Sequence, residues 1–216
     1  MNFFRALRRQ KKPKVFVIGR NKTGTTSIAA VLEKLGYRLG DQIKAELLLD
    51  DWANGQFDPI LDYCRSAEAF QDIPFSLEGT YQALDREFPG SKFILTTRDS
   101  AQVWYESLTR FHTKIVGKGR LPTASDLQAF EYREPGWLWR AQKQIYGIDE
   151  DTLYDPAIYQ EHYDRYNEGA VRYFADRPAQ FLSINIGDES APTRLCEFLD
   201  VEPSLTSFPH LNRSRD

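Results

Sequence analysis

A chain of 216 residues, 41% hydrophobic and 27% charged, is the size of one domain with a proper buried core. Its net charge of -3 at pH 7 argues against a nucleic-acid partner. No apolar stretch is long enough for a signal peptide or a membrane span, so a cytoplasmic protein is the default expectation. Cys64 and Cys196 lie far apart without a metal or thiol-pair motif and read as small buried hydrophobes, and His112, His162 and His210 form no metal-binding pattern.

The first fourteen residues crowd Arg5, Arg8, Arg9, Lys11, Lys12 and Lys14 around Phe3, Phe4 and Leu7. Residues 1–14 read as a solvated basic tail, with weak peripheral contact to an anionic membrane surface as the alternative, and residues 15–216 as a single domain. Residues 15–18, VFVI, are a continuous apolar run suited to a strand buried on both faces. After Gly19, Ile28, Val31, Leu32 and Leu35 recur at helical spacing and Gly36 supplies a stop.

Strand, glycine loop and helix in this order leave unpaired N–H groups at the positive end of a helix, a site for an anion. Gly24 permits close backbone approach, Thr25 and Thr26 add hydroxyls, and Lys22 adds a full charge. In the nucleotide loop G-x-x-x-x-G-K-[ST] a lysine follows the second glycine. Here Gly19 and Gly24 keep that spacing, but Thr25 stands in the lysine's place and the lysine has moved to Lys22.

Further along, short helical pieces over residues 43–49 and 59–64 flank an Asn54-Gly55 turn, a short strand is expected near residues 37–39, and AEAFQD, residues 67–72, reads as a second strand. Tyr81, Leu84, Asp85 and Phe88 make a helix ended by Pro89-Gly90, and KFILTTR, residues 92–98, is the strongest strand after the first. Residues 117–122 form a basic loop, helices follow Gly136 and Pro156, FLSINI at 181–186 is the last strand, and residues 191–199 the last helix. The aromatic stripe on the helix after Pro156 reads as core first and pocket wall second. Strands alternating with helices predict an α/β, three-layer fold: a mostly parallel sheet of about five strands, helices on both faces, and ligands at the carboxyl ends of the strands.

The segment GRNKTGTTS, residues 19–27, resembles the 5′-phosphosulfate loop of sulfotransferases, P-loop-type enzymes that use 3′-phosphoadenosine 5′-phosphosulfate (PAPS). The resemblance implies that Arg20, Asn21, Lys22, Thr23, Gly24, Thr25, Thr26 and Ser27 bind the cofactor, with Lys22 also catalytic. ILTTRDSAQVWYES resembles the family's 3′-phosphate element and implies roles for Arg98 and Ser107, although Ser107 is nine residues after Arg98 where the family commonly has eight. The family's cytosolic members carry a catalytic histidine two residues before a proline at the end of the second strand. Asp72 stands two residues before Pro74, which makes it the candidate general base, with Glu78, Glu106 and His112 as substitutes. PHLNRS near the carboxyl end resembles a bacterial subgroup's terminal loop and implies that Arg213 reaches the 3′-phosphate.

These resemblances imply in-line sulfuryl transfer, without a metal, from PAPS to a hydroxyl or amine of a small-molecule, glycan or lipid acceptor, leaving adenosine 3′,5′-bisphosphate. Two readings stay open beside it: a small-molecule kinase or NTPase requiring ATP and magnesium, and a non-catalytic nucleotide-binding module.

Overall fold

The computed structural model describes residues 12–202 and 207–209, so Arg213 and all of the basic tail before Lys12 lie outside the described residues. Four strands form one parallel sheet in the order β2-β1-β3-β4: β1 (Val15–Val17), β2 (Ala69–Gln71), β3 (Lys92–Thr97) and β4 (Phe181–Asn185). Ten α-helices accompany them among the described residues: α1 (Thr25–Lys34), α2 (Gln42–Glu46), α3 (Leu49–Ala53), α4 (Asp58–Tyr63), α5 (Thr80–Glu87), α6 (Ala101–Ile115), α7 (Ala124–Ala129), α8 (Trp137–Tyr146), α9 (Pro156–Tyr173) and α10 (Ala191–Leu199).

β1 and the middle of β3 are buried on both faces, as their apolar runs require, whereas β4 is buried only at Ile184. Val15 and Val17 pack with Ile28, Val31 and Leu32 of α1 and Leu195 of α10 on one face. Phe16 points to the other, where its ring lies 5.6 Å from Phe70 and 5.5 Å from Phe93, and Phe93 in turn meets Phe174, the residue after α9, at 4.7 Å. Truncating a fully buried Phe such as Phe16 costs about 3–5 kcal/mol, so this aromatic stack is a main support of the sheet. A third cluster, built from α6, α7, α8 and α9 around Trp104, Leu108, Trp137 and Tyr159, extends the fold beyond the strand ends.

The expectation of about five strands gives way to four among the described residues. Near residues 37–39 the chain makes a single bridge, Leu39 to Ala69. Asp41 accepts from the N–H groups of Ile43 and Lys44 and turns the chain into α2 before a longer ladder can form. After the basic loop, Thr123 and Asp126 make a capping box that opens α7, a helix the reading above did not include. Both cysteines are buried free thiols.

Because β1 is followed by β2 on one side while β3 lies on its other side, the strand order reverses between β1 and β3. That reversal opens a crevice at the carboxyl ends of the two strands. The loop after β1 and Arg98 after β3 are therefore neighbours, and Asp72 after β2 reaches the same edge.

Candidate active site

The loop between β1 and α1 is shaped by two glycines with different jobs. A Cβ on Gly19 would lie 2.0 Å from Thr96 Oγ1 and 2.5 Å from the Thr96 carbonyl oxygen, so the loop crosses the end of β3 where no side chain fits. Gly24 has φ +103°, and a Cβ there would sit 2.2 Å from Ile186 Cδ1. Lys22, with φ +67°, also holds the left-handed conformation that bends the loop back on itself. Gly24 then starts α1 with no side-chain cap, leaving the first-turn N–H groups of Thr25 and Thr26 without intrahelical partners.

Four carbonyls along the loop are occupied elsewhere. Tyr166 Oη donates to Ile18 O at 2.8 Å, Thr23 Oγ1 to Arg20 O at 2.5 Å, Trp104 Nε1 to Asn21 O at 2.9 Å, and Arg98 Nε to Lys22 O at 2.8 Å. Oxygens that would repel an anion are tied down by donors from α9, the loop itself, α6 and the end of β3. The exposed polarity of the loop is thus mainly that of N–H groups, at the positive end of the α1 dipole.

The cleft above the loop has a volume of about 270 Å³. Among the residues expected at the site, Arg20, Asn21, Lys22, Gly24, Thr25, Thr26, Ser27, Asp72 and Arg98 line it. Thr23 and Ser107 do not. The Thr23 side chain is fully buried beneath the loop, where it also meets Thr96 Oγ1 at 2.5 Å. Ser107 sits partly buried on α6, one turn before Phe111, which does line the cleft. The Arg20 guanidinium is 2% exposed and bonded to Ser76 O and Tyr146 Oη, both at 3.0 Å, so it braces the floor of the cleft.

Two cations remain to meet an anion. The Arg98 backbone N–H donates to Tyr163 Oη at 2.9 Å and its Nε donates to Lys22 O in the loop, while its terminal nitrogens have no hydrogen-bond partner among the described residues. Asp99, next to Arg98 in the chain, accepts from the Asn185 side-chain amide. Lys22 Nζ lies 4.0 Å from the Phe111 ring centroid. Burial holds its pKa below the ordinary lysine value, the Arg98 and Lys114 charges push the same way, and Asp72 opposes them.

Asp72 follows β2 in the left-handed region, φ +62°, ahead of a cis Ile73-Pro74 bond. Its Oδ1 accepts from the Ile73 N–H at 2.9 Å. Burial, reinforced by the charge of Glu46, pushes its pKa up to about 7 despite the Ile73 N–H, Arg20 and Lys22. A carboxyl with that value accepts a proton near neutral pH far better than an ordinary aspartate. Of the substitutes, Glu78 and Glu106 are exposed outside the cleft. His112 lines it, but its Nδ1 is 2.7 Å from Tyr154 Oη, and burial followed by the Lys22 charge lowers its pKa to about 4.

Sequence reasoning did not find Glu46, Phe111, Tyr132 or Gln142 as cleft residues, nor single out the wall formed by α8. Trp137, Leu138, Ala141, Ile145 and Tyr146 of α8 supply that wall, whereas Tyr159, Tyr163 and Tyr166 of α9 are core. The spacing of α8 was legible as a helix, but nothing in it said which face meets the loop. Among the described residues no cluster of three or more His, Cys, Asp or Glu could hold a metal ion, and no helix is long and apolar enough to cross a membrane.

A family model described as a sulfotransferase domain matches residues 14–216. No curated protein sequence matches the chain. The match spans the loop after β1, the Asp72 turn, the Arg98 strand end and the α8 wall together. The chain belongs to the sulfotransferase family and is by that membership a sulfuryl-transferring enzyme.

Proposed function

We propose that this enzyme uses PAPS as donor and transfers its sulfuryl group to a hydroxyl or amine of a small-molecule acceptor, with Asp72 as general base. The observation that carries the donor assignment is the loop whose carbonyls are tied back while Lys22, the first N–H groups of α1 and the Thr25 and Thr26 hydroxyls face the cleft. PAPS would bring the sulfuryl group activated as an anhydride with phosphate.

Lys22 and the α1 amides would hold the 5′-phosphosulfate and offset the negative charge that gathers on the phosphate side as the bond to sulfur breaks. Arg98, with terminal nitrogens unpaired among the described residues and its backbone N–H and Nε held by Tyr163 and Lys22, would take the 3′-phosphate in a fork geometry, with Arg213 as a further contact. Asp72, lining the same cleft, would orient the acceptor and receive its proton. Tyr132, Trp137, Leu138, Ala141 and Ile145 around it favour an acceptor with an apolar body over a glycan or a nucleic acid.

Calorimetric titration with adenosine 3′,5′-bisphosphate, and separately with ATP and magnesium, tests the donor. Lys22→Ala and Arg98→Ala are each expected to weaken bisphosphate binding by about 10-fold or more, in line with loss of a charge-assisted contact. Binding of ATP with magnesium and not of the bisphosphate would refute the assignment and place the chain with nucleotide-triphosphate enzymes.

A further inference from the structure

The scheme above uses Asp72 and leaves a second cleft carboxylate without a role. Glu46, 6% exposed at the end of α2, lines the same cleft. Arg133 Nε donates to its Oε2, the Gln42 side-chain amide donates to its Oε1 at 3.2 Å, and Trp137 Nε1 donates to its backbone oxygen at 3.1 Å. The same Gln42 nitrogen donates to Ile73 O at 3.0 Å, the carbonyl immediately after Asp72. One amide thus joins the Glu46 carboxylate to the turn that presents Asp72, and the Arg133 guanidinium anchors the assembly from the segment before α8.

We propose that Glu46 is a positioning residue for Asp72: through Gln42 it holds the Ile73 turn, and its charge, balanced by Arg133, sets the pH at which the Asp72 carboxyl ionises. The charged and titratable groups around Asp72 are Arg20 and Lys22 from the loop, Glu46 from α2, Tyr132 from the segment before α8, and His112 from α6 on the same cleft. Arg20 and Lys22 favour the ionised carboxylate, and Glu46 opposes it. Arg133 limits that opposition by pairing with Glu46 in a site where both side chains are largely shielded, at 19% and 7% exposure. The acceptor end of the cleft therefore carries its own control over the base.

The inference rests on Asp72 being the base, and two readouts separate them: a carbon-13 titration of the Asp72 carboxyl in the full chain without ligands, and the pH profile of kcat/KM. Glu46→Gln keeps the shape and the Gln42 contact and is expected to lower both midpoints by about one pH unit; Arg133→Met, which leaves Glu46 unbalanced, is expected to raise both by a similar amount. Falling rates with unmoved midpoints would reduce Glu46 to a structural part and overturn the proposal, while an acid limb abolished by Asp72→Asn would leave the base assignment standing. A carboxyl midpoint that moves without the acid limb would overturn both. Should Arg133→Met fail to fold, the isosteric Glu46→Gln variant decides alone.

Discussion

Replacing Asp72 by Asn separates what this side chain does for the reaction from what it costs the fold. Asn keeps the volume, can still accept from the Ile73 N–H and tolerates the left-handed backbone at φ +62°, whereas Ala would add backbone strain. The folded carboxyl titrates at about 7, against an ordinary value of 3.8. Between those two pH values the folded chain holds a proton that the unfolded chain has released, so stability falls as pH rises, by about 1.4 kcal/mol per unit. By pH 8 the deficit reaches about 2–4 kcal/mol, the lower part of that range reflecting the opening of Asp72 to the cleft. Asp72→Asn removes it. In urea unfolding followed by tryptophan fluorescence, the variant should be more stable than the parent at pH 8 by that amount and equal to it at pH 4. Its rate of conversion of PAPS to adenosine 3′,5′-bisphosphate with an acceptor should fall by about 10²–10⁴-fold, the usual contribution of a general base. A variant that turns over within about threefold of the parent would refute the catalytic part of this reasoning. Equal stability at pH 8 would show that the carboxylate is solvated and would refute the electrostatic part.

The remaining predictions concern the loop and the buried imidazoles. Gly24→Ala combines a disfavoured φ, worth about 1–2 kcal/mol, with a clash against Ile186 Cδ1; it should lower stability by at least that amount and bisphosphate affinity by about 10-fold or more, and Ile186→Ala in the same chain should restore part of the affinity. No recovery would mean that the glycine serves only its dihedral angle. His112 and His162 are held neutral by burial, with pKa values lowered to about 4 and about 3 and with Lys22 and Arg20 as the respective next causes. Below pH 6.5 the unfolded chain gains protons on these imidazoles that the fold does not, so stability falls with pH. His162→Gln should reduce the loss between pH 6.5 and 4.5 by about 2–3 kcal/mol in urea titrations. An unchanged loss would mean that His162 is protonated in the folded chain.

Much of the fold was legible because its signals are local. The apolar runs of β1 and β3, the helical spacing in α1, α5, α8 and α9, and the glycine and proline stops need no knowledge of the rest of the chain. The short strand near residues 37–39 did not lengthen because a local competitor, the Asp41 cap, turns the chain into α2. The α7 helix carries an equally local signal, the Thr123 and Asp126 capping box, next to a segment with two glycines and a proline that reads as loop. Lys22, Asp72 and Arg98 could be brought together on paper because parallel strands present their carboxyl ends on one edge. Glu46 and Arg133 could not: they are 87 positions apart, on a short helix and in a loop, and no periodicity links them.

The loop shows why a motif is weaker evidence than the geometry around it. Gly19, Lys22 and Gly24 shape the backbone, but a glycine loop presents carbonyls as readily as amides, and carbonyls repel anions. Which polarity faces the cleft is decided by Tyr166, Trp104 and Arg98, which lie 148, 83 and 76 positions from the oxygens they bind. Each bond also couples anion binding to an element that has other work: Trp104 stacks on Tyr163 at 4.6 Å, and Tyr163 in turn holds the Arg98 N–H. An α6 that shifted by a fraction of a turn would release the Asn21 carbonyl and loosen the Arg98 support through the same aromatic pair. The affinity of the loop is therefore a property of the packed domain, and the nine residues of GRNKTGTTS taken alone would not carry it.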